Sequence, residues 1–283
     1  MKKTLIALTV AASAAVSGSA MAVSWVDGGN GQDINFGGTI TAPNAVEWMW
    51  SYGGKTDFDN KTTELTDSGK KLVITADKDI PIFLGKMKHA AAGSDFVPTG
   101  TMPTIEFLSS GAVVTPVFSA GAGMSLTIKA FDRQSAEVGT LTLNGRAVGT
   151  TVMKDQHDNY LTKGLASGNY GDILKGALCP DETKLIMGGK NSTVFVEKFG
   201  GPALTELEQQ IRDYVNDPGA TFTDKAIAWN LIRSDAGDVA TKGISIAYAY
   251  GIEKGQTLEA NFTAPVTSTT TWKAPLTVSI TYN

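Results

Sequence analysis

The chain has 283 residues, of which 42% are hydrophobic, and a formal net charge of −4 at pH 7. This mild acidity argues against a nucleic-acid partner, because such a partner selects a basic surface. The single cysteine excludes an intramolecular disulfide, so burial of apolar surface, at about 25 cal/mol per Å², must stabilise the fold.

The first 22 residues have the pattern of a secretory signal peptide. Lys2 and Lys3 precede an apolar stretch, and Ala20, Met21 and Ala22 provide the small residues of a cleavage site. The apolar stretch is shorter than the ~20 residues of a transmembrane helix. We therefore expect residues 1–22 to be removed and the remaining protein to be exported and soluble.

Residues 23–41 are rich in glycine and contain one short alternating run. In an extended strand, Ile34, Phe36, Gly38 and Ile40 lie on the same face. One interpretation is an ordinary first strand that packs on its own fold. The other is a strand donated to a second subunit, in which main-chain hydrogen bonds provide affinity and alternate side chains fill pockets.

Most of the chain after residue 41 alternates apolar and polar residues, as strands do. Such segments begin near residues 72, 80, 105, 124, 141, 244 and 258. A final segment near the C terminus contains Leu276, Val278, Ile280 and Tyr282. Gly, Asp, Asn and Pro separate the segments. This pattern predicts an all-β sandwich or barrel. Trp48 and Trp50 predict a further strand whose two rings face the core, and Trp229 and Trp272 are interpreted as packing residues.

One helix is predicted, from about residue 203 to 216. Its apolar residues are spaced by three and four, and Pro218 cannot continue the backbone ladder beyond it. These apolar residues are Leu204, Leu207, Ile211 and Val215. The surrounding region, about 145–235, shows weak strand periodicity and many turn residues. We interpret it as an insertion into the sandwich.

The sequence has few of the residues that carry catalysis. His89 and His157 are the two histidines. His157 lies next to Asp158, which could indicate an acid–base pair, but a surface loop is the preferred interpretation. There is no nucleophile elbow, no zinc motif and no phosphate-binding loop. The chain is therefore predicted not to be an enzyme and to bind no metal or cofactor, with Cys179 an unreactive thiol. Two distant carboxylates acting as a glycoside hydrolase remain an alternative, since sequence gives no separations.

Both ends of the chain resemble a known family. The leader, the stretch DINFGGTITA at residues 33–42 and, most specifically, residues 244–283 resemble the FaeG-like adhesive pilins, the major subunits of kappa-class chaperone–usher fimbriae of enteric bacteria. The resemblance covers both ends and the β scaffold, and little of residues 145–235.

The resemblance implies an incomplete immunoglobulin-like sandwich whose last strand comes from a neighbouring subunit. It implies three segments, namely a signal peptide (1–22), an N-terminal donor-strand extension (23–41) and a pilin domain (42–283). Ile34, Phe36, Gly38 and Ile40 are then the donor residues, and Leu276, Val278, Ile280 and Tyr282 border the groove and contact a periplasmic chaperone. The other implied partners are an outer-membrane usher and further copies of the chain, which form a fimbrium on the cell surface.

In this family the major subunit is commonly also the adhesin, so the resemblance places recognition of a host glycoprotein or glycolipid on the insertion at about 145–235. Sugar sites combine an aromatic ring with amide and carboxylate groups. Tyr160, Asn169, Tyr170 and Asp172 are the predicted receptor residues. The alternative for each is an ordinary turn residue. The alternatives for the whole chain are a secreted monomeric β-sandwich, either a lectin or a glycoside hydrolase, and a minor subunit of the same fimbria.

Overall fold

The computed structural model describes residues 46–54, 56–96, 103–166, 174, 176–179, 184, 188–228 and 241–282, without the side chains of 226–228. The predicted signal peptide, the donor extension with Ile34, Phe36, Gly38 and Ile40, and Trp229 lie outside this part of the chain. Asn169, Tyr170 and Asp172 lie outside it as well. Within it, no helix is long and apolar enough to cross a membrane.

The described part of the chain contains thirteen strands and two helices. The strands are β1 (Trp48–Tyr52), β2 (Lys71–Thr75), β3 (Ile80–Met87), β4 (Pro103–Ser109), β5 (Ala112–Val114), β6 (Val117–Ser119), β7 (Gly123–Phe131), β8 (Glu137–Asp155), β9 (Tyr160–Leu165), β10 (Thr223–Ala228), β11 (Thr241–Ile252), β12 (Thr257–Phe262) and β13 (Thr277–Tyr282). The helices are α1 (Gly189–Lys198) and α2 (Leu204–Val215).

Two sheets are formed by these strands. The large sheet has the order β1-β3-β11-β8-β12-β2, and β7 and β9 pair with the other edge of the long strand β8. β6 extends the sheet from β7, and β10 lies parallel to β9. The small sheet has the order β13-β4-β5. This arrangement confirms the predicted all-β sandwich.

The small sheet and the two helices cover opposite faces of the large sheet. Phe83 and Tyr248 share a core cluster with Phe107 of β4, whereas the neighbouring residues Leu84 and Ala247 share a cluster with residues of both helices. Because successive side chains of a strand point to opposite faces, these assignments require three layers. The helices lie outside, the large sheet in the middle, and the small sheet on the far side.

The weak strand periodicity of residues 145–235 does not mark a region without strands. The second half of β8, together with β9 and β10, lies there, and β8 pairs with β11 over residues 146–155. All residues from Ala147 to Met153 are buried, because one face lies under the small sheet and the other under the helices. A strand covered on both faces has no reason to alternate.

The predicted helix is confirmed as α2, with Leu207 and Ile211 fully buried against the sheet. The prediction of one helix was wrong, because α1 precedes it. α1 begins after Gly188 and contains Ser192, Thr193 and Val194, which have low helix propensity. It forms because Val196 is fully buried over the sheet and Thr193 shares buried hydrogen bonds with Thr150 and Gly189.

Candidate functional site

The C-terminal strand β13 is an edge strand in the described part of the chain. It pairs antiparallel with β4, and Val278 and Ile280 lie opposite Phe107 and Ile105. Phe107 and Ile105 are each 1% exposed, whereas Val278 and Ile280 are only half-buried and Tyr282 is 43% exposed. The core is therefore well covered at β4 and poorly covered one strand further out.

Among the described strands, β1 is the matching edge of the large sheet. It pairs with β3, and Trp48 and Trp50 point from it toward the core. Tyr52, at its end, is 55% exposed and stacks on Phe83 at 5.4 Å. The rings of Trp48 and Trp50 stack at 5.5 Å, and Trp50 stacks on Phe83 at 5.6 Å. The prediction that the two tryptophans share a face toward the core is confirmed. Both are only half-buried, and Trp48 also lines a cavity together with Tyr282 of β13.

One hydrogen bond links the two edges. Trp50 donates its indole N–H to the Tyr282 hydroxyl at 2.8 Å, which joins β1 of the large sheet to β13 of the small sheet. Burial raises the pKa of Tyr282, although this hydrogen bond from Trp50 opposes the shift. The bond fixes the distance between the two edge strands at one end of the space between them. We call this space the groove, and define it by β1 and β13.

A cavity of about 540 Å³ opens at the Tyr282 end of the groove. It is lined by Val46, Glu47, Trp48, Met49, Lys88 and Tyr282. Its polar rim is an ion pair in which the Lys88 ammonium lies 2.7 Å from the Glu47 carboxylate. The hydrogen bond from Lys88 holds the pKa of Glu47 below its ordinary value.

The groove has the chemistry of a strand-binding site. An edge strand presents main-chain N–H and C=O groups that a further strand can pair with. Here such an edge is combined with apolar side chains that remain half-exposed, namely Leu276, Val278 and Ile280. Leu276, Val278 and Ile280 pack against the same core cluster as Trp48 and Trp50 of β1. The role of Leu276, Val278, Ile280 and Tyr282 in binding a strand stays a prediction. The alternation of Trp48, Trp50 and Tyr52 along β1 is the same sequence signal as the alternation in β13.

Tyr160, the one predicted receptor residue within the described chain, begins β9 on the far side of the large sheet. Its hydroxyl donates to Asp217 at 2.7 Å, and its ring packs edge-on against Phe222. The Lys154 ammonium lies over the ring, 5.1 Å from its centroid. Burial raises the pKa of Tyr160, and the hydrogen bond to Asp217 adds to the shift. Its receptor role stays a prediction.

The remaining candidates occupy the positions that the sequence predicts for structural residues. His89 and His157 are exposed, and His157 lies in the turn between β8 and β9. Cys179 is buried, and Trp272 packs edge-on against Phe262 at 6.0 Å. No group of three or more potential metal ligands occurs among the described residues.

Comparison with known proteins points to one family. A family model described as "Fimbrial, major and minor subunit" matches residues 1–199. The chain is 32% identical to the F41 fimbrial protein of Escherichia coli over 290 residues, which covers 100% of both chains. It is 33% identical to the K88 fimbrial protein AD of the same organism over 298 residues, again with 100% of both chains covered.

Proposed function

Because the chain belongs to the family of major and minor fimbrial subunits, we propose that it polymerises by inserting its N-terminal extension into the groove of the next subunit. Ile34, Phe36, Gly38 and Ile40 would provide the inward face of the donated strand. The contact is head-to-tail, since the donating and accepting surfaces differ, and such contacts propagate as filaments. The finished polymer is a fimbrium at the cell surface.

The observation that carries the proposal is the change in burial across the small sheet. Ile105 and Phe107 in β4 are fully covered, while Ile280 and Val278, their partners in β13, are not. A strand added beside β13 would cover these two side chains and pair with the edge that β13 presents within the described part of the chain. At ~25 cal/mol per Å² this burial would make a large favourable contribution to association.

The proposed donor has the right length for this groove. The six residues of β13 span about 20 Å at ~3.3 Å per residue, and residues 34–40 of an extended donor span about 23 Å. Asp33, Asn35 and Thr39 would face away from the core. The donated strand would thus complete the sandwich, with apolar side chains facing inward and polar side chains facing outward.

A subunit with an uncovered groove needs protection before assembly. Exposed edge strands with apolar side chains promote aggregation. We therefore propose the export route that the sequence predicts, with a cleaved signal peptide at residues 1–22, a periplasmic chaperone bound to β13 until the donor strand arrives, and an outer-membrane usher. Leu276, Val278, Ile280 and Tyr282 are the proposed chaperone contacts.

A pair of neighbouring substitutions tests strand donation in the full-length chain. Phe36→Asp places a charge on the inward face of the donor, whereas Asn35→Asp places the same charge on its outward face. We expect Phe36→Asp to abolish fibres in electron micrographs and to leave single subunits in size-exclusion chromatography. Asn35→Asp should polymerise as the unaltered chain does. Fibres of normal yield from Phe36→Asp would refute strand donation through this segment.

We further propose that the polymer binds a host glycoprotein or glycolipid through Tyr160, Asn169, Tyr170 and Asp172. Aromatic rings stack on the apolar faces of sugars, and amide or carboxylate groups orient the hydroxyls. Tyr170→Ala should abolish binding of fibres to glycans or cells while fibre length and yield are unchanged. For Tyr160, the ring is tested by Tyr160→Ala and the hydroxyl bonded to Asp217 by Tyr160→Phe. Normal adhesion of Tyr170→Ala fibres would exclude this site.

A further inference from the structure

Two lysines lie directly opposite each other where β10 pairs with β9. Lys225 of β10 is the register partner of Lys163 of β9, and the two strands run parallel. Neighbouring strands are about 4.8 Å apart and register partners point to the same face, so both ammonium groups share one surface. Lys163 is half-buried and Lys225 is exposed. Like charges in directly opposite positions destabilise a sheet, so this pair calls for an explanation.

The neighbouring positions provide no carboxylate for the two lysines. Thr151 of β8 is the register partner on the other side of Lys163, and its hydroxyl already donates to a main-chain carbonyl of β11 at 3.1 Å. Asp224 precedes Lys225 and therefore points to the opposite face, where it accepts the main-chain N–H of Lys190 at 3.1 Å. Neither ammonium forms an ion pair or a hydrogen bond within the described part of the chain.

Lysines elsewhere in the large sheet have acidic partners. Lys71 of β2 lies 2.7 Å from Glu259 of β12, and Lys129 of β7 lies 2.7 Å from Glu137 of β8. Opposite charges on neighbouring strands stabilise a sheet, which is the usual arrangement here. The β9–β10 pair departs from it, because two cations meet where a cation and an anion would be expected.

The charge on Lys163 is the less favourable of the two. Burial lowers the pKa of Lys163 below its ordinary value; the charge of Asp155 opposes this shift and that of Lys225 adds to it. An anion held between the two lysines would cancel their repulsion. It would also replace the hydration that Lys163 loses, since each ammonium can donate three hydrogen bonds and bonds between charged groups are strong.

We propose that Lys163 and Lys225 bind an anionic group of a host glycan, either the carboxylate of a sialic acid or a sulfate ester. This inference rests on the proposed function, in which the insertion at about 145–235 binds a host glycoprotein or glycolipid. It names the chemical class of the receptor. It also places the charged group on the face of β9 opposite to Tyr160, since residues 160 and 163 differ by an odd number.

The test measures the affinity of the full-length chain for two matched pairs of sugars. 3′-Sialyllactose is compared with its methyl ester, which keeps the shape and removes the charge, and lactose 3′-sulfate is compared with lactose. We expect the charged member of at least one pair to bind about 10- to 100-fold more tightly, the range for one hydrogen bond to a charged group. The pair that shows the larger difference identifies the carboxylate or the sulfate as the natural group.

Variants then assign the preference to the two lysines. Lys163→Gln and Lys225→Gln should each remove most of the preference for the charged sugar. Lys129→Gln is the matched control, because it removes one positive charge from the same sheet at a lysine that has an acidic partner. In the Phe36→Asp subunit, Lys225→Gln should leave the denaturant midpoint unchanged or raise it, since it relieves repulsion. A lysine with a purely structural role would lower that midpoint.

Equal affinities within both pairs of sugars would overturn the inference, and so would an undiminished preference in Lys163→Gln and Lys225→Gln. Receptor binding by the insertion would survive either result, because the sugars still bind. If no sugar of either pair binds, the anion site is wrong and the proposed glycan receptor loses its support as well. Strand donation is judged separately, by the fibres that the unaltered chain forms.

Discussion

At the scale of single residues, the sheet beside the groove depends on one position without a side chain. Gly85 lies between Trp50 and Tyr248 across three neighbouring strands, and both rings cover it. Its backbone has ordinary strand geometry, so the requirement is for space. The aromatic residues that line the groove can stack only because β3 contributes no Cβ atom at this point.

Gly85→Ala should therefore disturb the groove. The added methyl group would overlap Trp50 and Tyr248, and overpacking of this kind costs about 1–3 kcal/mol. We expect a lower denaturant midpoint for the Phe36→Asp subunit and a weaker polymer. Gly54→Ala is the matched control, because nothing lies within 4 Å of a Cβ atom there. Equal stabilities of the two variants would show that the aromatic rings can move aside.

Sequence alone could identify the inward-facing residues of this site but not their degree of coverage. The alternation of Leu276, Val278, Ile280 and Tyr282 predicts which side chains face inward. It does not show that Ile280 is half-buried while its partner Ile105 is fully buried, because burial depends on the order of the strands in the folded sheet. The sequence also could not show that the Tyr248 hydroxyl lacks a hydrogen-bond partner among the described residues, because Tyr248 and Tyr250 occupy equivalent positions in the alternation of β11.

At the scale of elements, the turn between β8 and β9 is organised by one carboxylate. Asp155 accepts hydrogen bonds from the main-chain N–H groups of His157 and Asn159, at 2.9 Å each, and from the Asn159 side chain. Burial alone would raise the pKa of Asp155, but the hydrogen bonds from Asn159 and His157 outweigh it and leave the pKa below the ordinary value of 3.8. The turn is thus held most firmly by the ionised carboxylate.

This shift predicts a pH dependence. Because the folded-state pKa is depressed, the carboxylate favours folding above pH 3.8, and its contribution is lost as the pH falls from there through the folded pKa. Asp155→Asn should lower the unfolding free energy by about 1 kcal/mol at pH 7. The difference from the unaltered subunit should shrink below about pH 4. Chemical unfolding at pH 7, 5, 4 and 3 measures it, and a difference that is constant with pH would contradict the assignment.

Helices and strands could be predicted from the sequence where one of their faces is buried and the other is exposed to solvent. α2 has buried Leu207 and Ile211 on one side and charged residues on the other, so its periodicity is plain. The second half of β8 is covered on both faces, and α1 is built from residues of low helix propensity, so neither has a local signal. Both are fixed by the layers that enclose them, which only the tertiary structure reveals.

At the scale of the whole molecule, the proposed donor and the proposed acceptor are different segments of one chain. The donor is the segment before residue 42, and the acceptor is the groove between β1 and β13. A contact between unlike surfaces cannot close by two-fold symmetry, so each added subunit leaves one free donor and one free groove. This asymmetry predicts how defective subunits behave when they are mixed.

Two full-length variants each lack one half of the contact. Phe36→Asp keeps the groove and loses the donor, whereas Ile280→Asp keeps the donor and places a charge in the half-buried wall of the groove. Each should remain a single subunit alone. Mixed together, they should form a 1:1 dimer and nothing larger. The intact donor of Ile280→Asp binds the intact groove of Phe36→Asp, and no functional donor or groove is then left for a further subunit. Light scattering after size-exclusion chromatography measures the mass.

Ser279→Asp is the control for Ile280→Asp, since Ser279 lies opposite Glu106 on the other face of β13. This control should polymerise, although two acidic side chains would then face each other and weaken the small sheet somewhat. Circular dichroism of each variant separates loss of the groove from loss of the fold. If the mixture of Phe36→Asp and Ile280→Asp stays monomeric while both are folded, the two surfaces are not complementary. If it forms long fibres, polymerisation uses a surface other than this groove.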